Sequence, residues 1–423
     1  MISYEDLRSI HEKIDSMRDL AEELLIDMIR IPTVSPSGEH YNDFINFASE
    51  RLLREGFDVE ILDVPQNLVD EKVPAEGRGR RRRIIIASIG DKSNTILHFN
   101  GHYDVVPGGP GWSITDPFKP VKINGRIYGR GATDMKGGIV SSIISMIALR
   151  DYADRNRLGL EIALVPDEEI GGYTGTEYLV SIGRVRGRHV IISEPSGLNQ
   201  IYIGHKGTVW GRVIVRGRTA HASTPWLGVN AFEKMVMLAG EMFRRIVPET
   251  FSIKSRYEYD VPEGNTATIM IGGFLKGGEK TNQVPGEVVF SFDRRVIIEE
   301  KASEVWENLR SKILSIAKEI GVEAEVVLEQ ISEPVIVDLK SPVVRALERA
   351  SEEVLGSMAR KVVCIGGLDM RYYARAGYDV ATYGPGVLGT AHAPDEYIEV
   401  GDIIRASKIY VNTFFNLLEK QEQ

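Results

Sequence analysis

Thiols are almost absent from this chain of 423 residues: Cys364 is its single cysteine. One thiol excludes a disulfide framework and any thiolate-held metal cluster, and it fits a reducing compartment. Cys364 lies in an apolar run and is expected inside a strand rather than as a nucleophile. Excess positive charge is missing too, since 51 Lys plus Arg stand against 60 Asp plus Glu, a net of −9. No global positive field exists to draw in nucleic acid or an anionic membrane, so neither is an expected partner. The opening residues Met1-Ile2-Ser3-Tyr4-Glu5-Asp6 lack the basic start and apolar run of a secretory signal. The most apolar helical stretch, Ile139 to Leu149, is well short of the roughly 20 residues that span a bilayer. A cytoplasmic protein is the expectation. The Arg-rich segment Glu76 to Arg83 is the one local exception in charge, and in an acidic chain it reads as a solvated loop or a subunit contact.

Length exceeds what one core organises, because chains divide into domains beyond about 250–300 residues. Apolar residues at helical spacing from Met17 to Ile29, stopped by Pro32, predict a core-docking helix. Strands are expected at Asp58–Asp63, Ile84–Ser88, Thr95–Phe99, Leu158–Val165 and His189–Ser193, with helices after Asp134 and near Tyr173–Val180. That alternation is the signature of a layered α/β sheet. From about Lys206 the order becomes strand, helix, strand, strand, helix, strand, the split unit of a ferredoxin-like domain. After Pro334 the α/β alternation resumes. The expected architecture is therefore an α/β domain with a mixed sheet flanked by helices (residues 1–205 and 332–423). A ferredoxin-like βαββαβ lid (206–331) is inserted into it.

Five clusters of acids and imidazoles fall at expected strand ends or helix starts, where open α/β sheets place their sites. Asn100-Gly101-His102-Tyr103-Asp104 follows a strand; His102 could ligate a metal while Asp104 takes its other ring N–H. Gly129 to Gly138 is a Gly-rich turn carrying Asp134, but it lacks the spacing and Lys-Ser/Thr ending of a phosphate loop. Asp167-Glu168-Glu169 sets three acids side by side, which repel unless a cation neutralises them or one keeps its proton. Glu194 closes another strand, and His392 stands in a late loop, Thr390-Ala391-His392-Ala393-Pro394-Asp395-Glu396. Alone, each is ambiguous between a structural and a chemical role. Together they offer two divalent ions one histidine each, one terminal carboxylate each and one shared carboxylate, from His102, His392, Glu169, Glu194 and Asp134. Glu168 remains for proton transfer.

These clusters, in this order over nearly the whole chain, resemble the co-catalytic zinc metallopeptidase family. It contains acetylornithine deacetylase, succinyl-diaminopimelate desuccinylase, aminoacylase and the glutamate carboxypeptidases. The resemblance implies that His102 and Glu194 hold one metal, Glu169 and His392 the other, and Asp134 bridges them through a segment whose Asp134–Met135 peptide is cis. It makes Glu168 the general base, with Asp104 supporting the catalytic set. It implies zinc as the metal, although cobalt and manganese accept the same ligands. In the lid, Gly217 to Pro225 resembles the segment whose histidine, here His221, donates to the oxyanion, with Ala220 in place of the usual glycine. Asn282 and Arg294 resemble residues that bind the substrate carboxylate. Gly366-Gly367-Leu368-Asp369-Met370-Arg371 resembles a substrate loop contributing Gly367 and Arg371, with Leu368 where a threonine is usual.

The implied reaction is hydrolysis of an N-acyl amino acid of the acetylornithine or succinyl-diaminopimelate type. The alternative is metallo-carboxypeptidase or dipeptidase action on short peptides, and a non-catalytic binding protein on the same fold is a more distant one. His205-Lys206 lies where desuccinylases of the family carry arginines, so a cation there could meet a distal carboxylate. A phosphoesterase with two metals is a further rival, opposed by the single Glu base and the inserted lid. Lids of this type pair into homodimers, which makes a homodimer the expected assembly.

Overall fold

The computed structural model describes residues 2–419, and the chain forms two compact units. The first takes the chain up to Ile203, then Val337–Lys361, then the part from Leu368 onward; the second takes Gly204–Ile336 and Val362–Gly367. Val362–Gly367 had been expected with the first unit. It joins the second because Val363 N–H donates to Glu258 O (2.8 Å), Asp260 N–H to Val363 O (3.0 Å) and Lys206 N–H to Cys364 O (3.0 Å). Cys364 is buried at the end of strand Arg360–Cys364.

Leaving aside two strands at the sheet edge (Val335–Ile336 and Arg360–Cys364), the strands of the two main sheets are, along the chain, β1 (Asp58–Asp63), β2 (Arg83–Gly90), β3 (Thr95–His102), β4 (Gly159–Val165), β5 (His189–Ile192) and β6 (Gln200–His205). They continue as β7 (Gly207–Arg216), β8 (Thr268–Gly277), β9 (Glu287–Val296), β10 (Ala324–Ser332) and β11 (Asp379–Thr382). In the first unit the sheet order is β1-β2-β4-β3-β5-β11-β6. Its centre is parallel, with β3 running alongside β4 and β5, and β5 alongside β11; β1, β2 and β6 pair antiparallel. Every residue of β3 and β4 is buried, as a parallel sheet covered on both faces requires.

Helix Gly137–Asn156 packs on β2, β3 and β4 and against helix Val400–Glu419, which in turn contacts helix Pro342–Leu355. The apolar stretch read from sequence as Ile139 to Leu149 is part of a 20-residue helix. That helix is long and apolar enough to cross a membrane, but the segment that qualifies is 94% buried inside the molecule. Its composition is that of a core helix with neighbours on all sides.

The second unit has the antiparallel order β8-β9-β7-β10. Helices Ala231–Ser252 and Ala302–Glu319 both contact this sheet and each other. Val209, Val213 and Val215 of β7 with Phe290 and Phe292 of β9 meet Leu238, Met242, Leu309 and Ile313 of the helices in a separate core. Strand-helix-strand-strand-helix-strand in that spatial order is the ferredoxin-like arrangement.

Candidate metal centre

The parallel strands carry the donors at their carboxyl ends. His102 is the last residue of β3, Glu168 and Glu169 follow β4, and Glu194 lies two residues beyond β5. Asp134 sits in the irregular turn Ala132–Lys136, whose Asp134–Met135 peptide is cis, just before helix Gly137–Asn156. Gly138 lets that helix approach β5, since a Cβ there would lie 1.8 Å from the Ser193 carbonyl oxygen. His392 arrives from a loop, in the left-handed region at φ 60°.

Asp134 faces two histidines with two different oxygens: Oδ1 is 3.1 Å from His102 Nε2, and Oδ2 is 3.3 Å from His392 Nε2. Glu194 Oε1 lies 3.5 Å from His102 Nε2, and Glu169 Oε1 lies 2.9 Å from His392 Nε2. Potential ligand atoms of His102, Asp134 and Glu169 all fall within 4.8 Å of one another, as do those of His102, Glu168 and Glu194. All five expected ligands and Glu168 are therefore gathered in one place.

Asp104 is also there, but in another role. The His102 Nδ1 partner is the backbone carbonyl of Asp104 at 2.9 Å, whereas the Asp104 carboxylate stands 3.6 Å away. That carboxylate instead accepts from the backbone N–H of Glu168 (3.1 Å) and of Glu169 (3.2 Å). A short strand end places its own carbonyl nearer the ring, which frees the side chain to fasten the two-glutamate turn.

The electrostatics describe an anionic cluster short of positive charge. Burial, then the charges of Glu194 and Asp369, push Glu168 well above the usual carboxylate range. Glu194 is raised likewise by burial and then by Asp134 and Glu169, and Glu169 is raised by burial against the pull of its His392 contact. Burial also opposes ionisation of Asp134, but the two imidazoles outweigh it and hold its carboxyl low. Contacts with Asp134 and Glu169 lift His392 to about 11. His102 is raised as well: burial alone would lower it, but Glu194, Asp104 and Asp134 prevail. The carboxylates thus favour the charged form of both imidazoles, and a histidine that ligates a metal must give that proton up. The nitrogen and oxygen donor set, without sulfur, suits borderline-to-hard divalent ions.

A sequence profile described as peptidase family M20/M25/M40 matches residues 98–416, three quarters of the chain and all of these donors. The chain belongs to peptidase family M20/M25/M40. An uncharacterised metallohydrolase of Methanocaldococcus jannaschii is 29% identical over 419 residues, covering 93% of this chain and 98% of the relative. A succinyl-diaminopimelate desuccinylase of Alkalilimnicola ehrlichii is 27% identical (88% and 92% covered), and an acetylornithine deacetylase of Myxococcus xanthus 28% (86% and 89%). Among solved structures, a dipeptidase of Saccharomyces cerevisiae superposes with TM-score 0.78 at 19% identity, 98% of each chain covered. A dinuclear metal-binding M20 peptidase of Bacillus subtilis gives 0.67 at 16%, covering 96% of this chain and 99% of its own. Membership makes this chain a metal-dependent hydrolase of a family that binds two metal ions.

Other residues look different in this M20 chain than in its sequence. The Arg-rich segment is not simply solvated: Arg82 is fully buried, its Nε donating to Asp167 Oδ2 at 2.7 Å and its Nη2 to Pro36 O at 2.7 Å. Asp167, left-handed at φ 63°, also accepts from Tyr41 Oη (2.9 Å) and Thr174 Oγ1 (2.5 Å). These bonds hold from below the turn that Asp104 holds from the side. A run of arginines hides which one is internal, and only the acid trio at Asp167 hinted that a partner was needed.

Arg294, expected to meet the substrate carboxylate, is buried and already ion-paired. It alternates into the core face of β9, 3% exposed, with Nη2 2.6 Å from Glu300 Oε1. The next residue, Arg295, points to the opposite face and pairs with Asp293 at 3.0 Å, because strand residues alternate sides. Lys206 is enclosed too, donating to Thr266 O at 2.7 Å beneath the Tyr259 ring. Its ammonium is thus already bonded to a backbone carbonyl. Arg371 turns inward, bonded to Leu368 O (3.2 Å) and Gly171 O (2.8 Å), while Gly367 is exposed in the second unit.

His221 and Asn282 are brought together and exposed. His221 pairs with Gln283 across a short antiparallel ladder, and Ala222 N–H donates to Asn282 O at 3.0 Å. His221 Nδ1 accepts from the backbone N–H of Ser223 at 3.1 Å. The same nitrogen also lies 2.7 Å from Ser223 Oγ, so both Ser223 contacts fall on Nδ1 and none on Nε2.

Proposed function

We propose that this chain is a dinuclear-metal amidohydrolase that cleaves the amide of an N-acyl amino acid, releasing a carboxylate and a free amine. The observation that carries the reading is Asp134, with one oxygen toward each of two histidines, beside the half-buried Glu168, which we assign to proton transfer rather than to a metal. His102, Asp134 and Glu194 would hold one ion, and His392, Asp134 and Glu169 the other, with zinc the favoured metal. Bound there, the ions supply Lewis-acid polarisation of a carbonyl and a water acidified toward neutral pH. Glu168 accepts the proton of the attacking water and passes it to the leaving nitrogen. Asp104 keeps the Glu168-Glu169 turn in register through the two backbone N–H groups. Nε2 of His221 is the donor assigned to the oxyanion, with Asn282 beside it for the substrate.

Relatives named desuccinylase and deacetylase support an acyl-amino-acid substrate. The enclosure of Lys206 and the Arg294–Glu300 pair favour a short neutral acyl group such as acetyl over succinyl, because a second substrate carboxylate would need a free cation. The same observation admits short peptides as the second reading. Two chains pairing through the lid are part of the proposal: Phe232, Val236 and Phe243 stand 51%, 51% and 54% exposed along helix Ala231–Ser252, which adjoins the edge strand β8. A cytoplasmic location accords with the single thiol.

The test is release of free amine, with zinc or cobalt added, from N-acetylornithine, N-acetylmethionine, N-succinyl-diaminopimelate and a few dipeptides, run beside Glu168→Ala. Turnover of N-acetyl substrates that vanishes in the variant is expected. Turnover of a phosphate ester but of no amide would overturn the reading.

A further inference from the structure

Outside the donors, the most completely bonded carboxylate near the centre is Glu396, fully buried. Its Oε1 accepts from the backbone N–H groups of Thr133 (2.9 Å) and Asp134 (3.0 Å). Its Oε2 accepts from Gly131 N–H (3.1 Å) and from Arg130 Nη1 (2.7 Å). Three N–H groups of one irregular turn thus converge on a single anion, a concavity that backbone alone would not hold closed. Arg130, 2% exposed, reaches the other way: Nη1 to Ala393 O (3.2 Å) and Nη2 to His392 O (3.3 Å) and Gly108 O (3.2 Å). Trp112 lies over its guanidinium at 5.3 Å and donates Nε1–H to the same Gly108 O at 2.7 Å. Two further bonds tie the loops together: Gly129 N–H to Glu396 O (2.9 Å) and Thr133 Oγ1 to Tyr397 O (2.6 Å).

One ion pair therefore joins the turn that carries Asp134 to the loop that carries His392, gripping the main chain at each of those two residues. We infer that Glu396 and Arg130 are positioning residues that keep Asp134 and His392 aimed at the same ion. Neither touches substrate or donor atoms. Both bonds to ligand residues are made to backbone, at Asp134 N–H and His392 O, so they orient the ligands and leave the ligating atoms free. Outer contacts of this kind typically change metal affinity by about 10- to 100-fold when removed. The inference rests on the metal-centre reading above, but not on which amide is cleaved.

Metal affinity of the full chain settles it without any substrate. Stripped wild type, Glu396→Gln, Arg130→Lys and Glu161→Gln would be titrated with zinc against a chromophoric chelator, each first checked for folding by near-UV circular dichroism. Glu161→Gln is the control, because it breaks another fully buried contact of the same unit, that of Glu161 Oε1 with His98 Nδ1 at 3.0 Å, nearer the far end of β4. Weakening of at least one ion by about 10- to 100-fold in Glu396→Gln and Arg130→Lys, but not in Glu161→Gln, is the expected result. Should Glu396→Gln not fold, Arg130→Lys carries the comparison, since it retains the charge but loses the fork that reaches both carbonyls. Wild-type affinity in the folded clamp variants, or an equal loss in Glu161→Gln, overturns the inference. Failure of the wild type itself to bind zinc would overturn the metal-centre reading and this inference with it.

Discussion

In the proposed centre Glu168 is left for proton transfer, because Asp134, Glu169 and Glu194 each stand within 3.5 Å of a histidine Nε2. Replacing it with Gln keeps the volume and removes the base. Amide turnover should fall by about 10²–10⁴-fold, while zinc stoichiometry measured on the same sample stays at two per chain. Arg82 permits a prediction about stability. Arg82→Met leaves Asp167 buried and unpaired, a loss of about 3–5 kcal/mol in urea unfolding, and Arg82→Met/Asp167→Asn should recover part of it. Glu161 gives a pH dependence. Burial opposes its ionisation, but His98 and the N–H groups of Arg186 and Gly187 prevail and hold its carboxyl below the ordinary value of 4.5. A lowered carboxyl contributes stability that is complete above the unfolded value and disappears as pH falls through the folded one. The wild-type advantage over Glu161→Gln in urea midpoint should therefore be full at pH 6 and shrink below about pH 4.5.

Elements differ in how plainly the sequence announces them. Strand β1 was expected at Asp58–Asp63 and is found there, because polar and apolar residues alternate between turn signals. Helix Pro342–Leu355 begins with a Ser341 cap and a first-position proline and ends at left-handed Gly356, the asymmetry that marks a helix in sequence. By contrast, helix Tyr4–Ser16 fully buries only Ile14, and its stripe of Leu7, Ile10 and Ile14 is interrupted by charged residues on every side. Strand β6 escaped notice because its six residues, all buried, include Gln200, Gly204 and His205, which carry no strand signal of their own. His102, Glu169 and Glu194 stood out in the sequence because each ends or follows a recognisable apolar strand, and Asp134 because it opens a Gly-rich helix start, whereas His392, in a loop, has no such local signal. Asp104 and Arg294 were misread for a shared reason: residue type announces a charge, whereas its direction depends on register. The Gly138 approach gives a prediction at this scale. Gly138→Ala should displace the Ser193 carbonyl, costing about 1–3 kcal/mol by overpacking and weakening zinc binding through Glu194.

For the whole molecule, the cluster of carboxylates is a stability liability until cations occupy it. Two ions that bind only the folded chain should raise its thermal midpoint, by the equivalent of about 2.7 kcal/mol for each ion supplied at 100 times its dissociation constant. Chelation should lower the midpoint reversibly in a calorimetric scan. Lid pairing predicts sedimentation as two chains, and Phe243→Glu should shift the distribution toward one. The lid has consequences for synthesis as well as assembly. Its main body, Gly204–Ile336, is one stretch of chain, whereas the metal-binding unit is divided around it. On the ribosome, Gly204–Ile336 can emerge and condense while strands β1 to β5 still wait for β11 and for helix Val400–Glu419 to cover them. His102, Asp134, Glu169 and Glu194 must then remain an incomplete, mutually repelling set until His392 and Glu396 are translated. With the proposed ligand set, a divalent ion has no finished site to enter before His392 is translated, so the order of synthesis itself holds the newborn chain inactive.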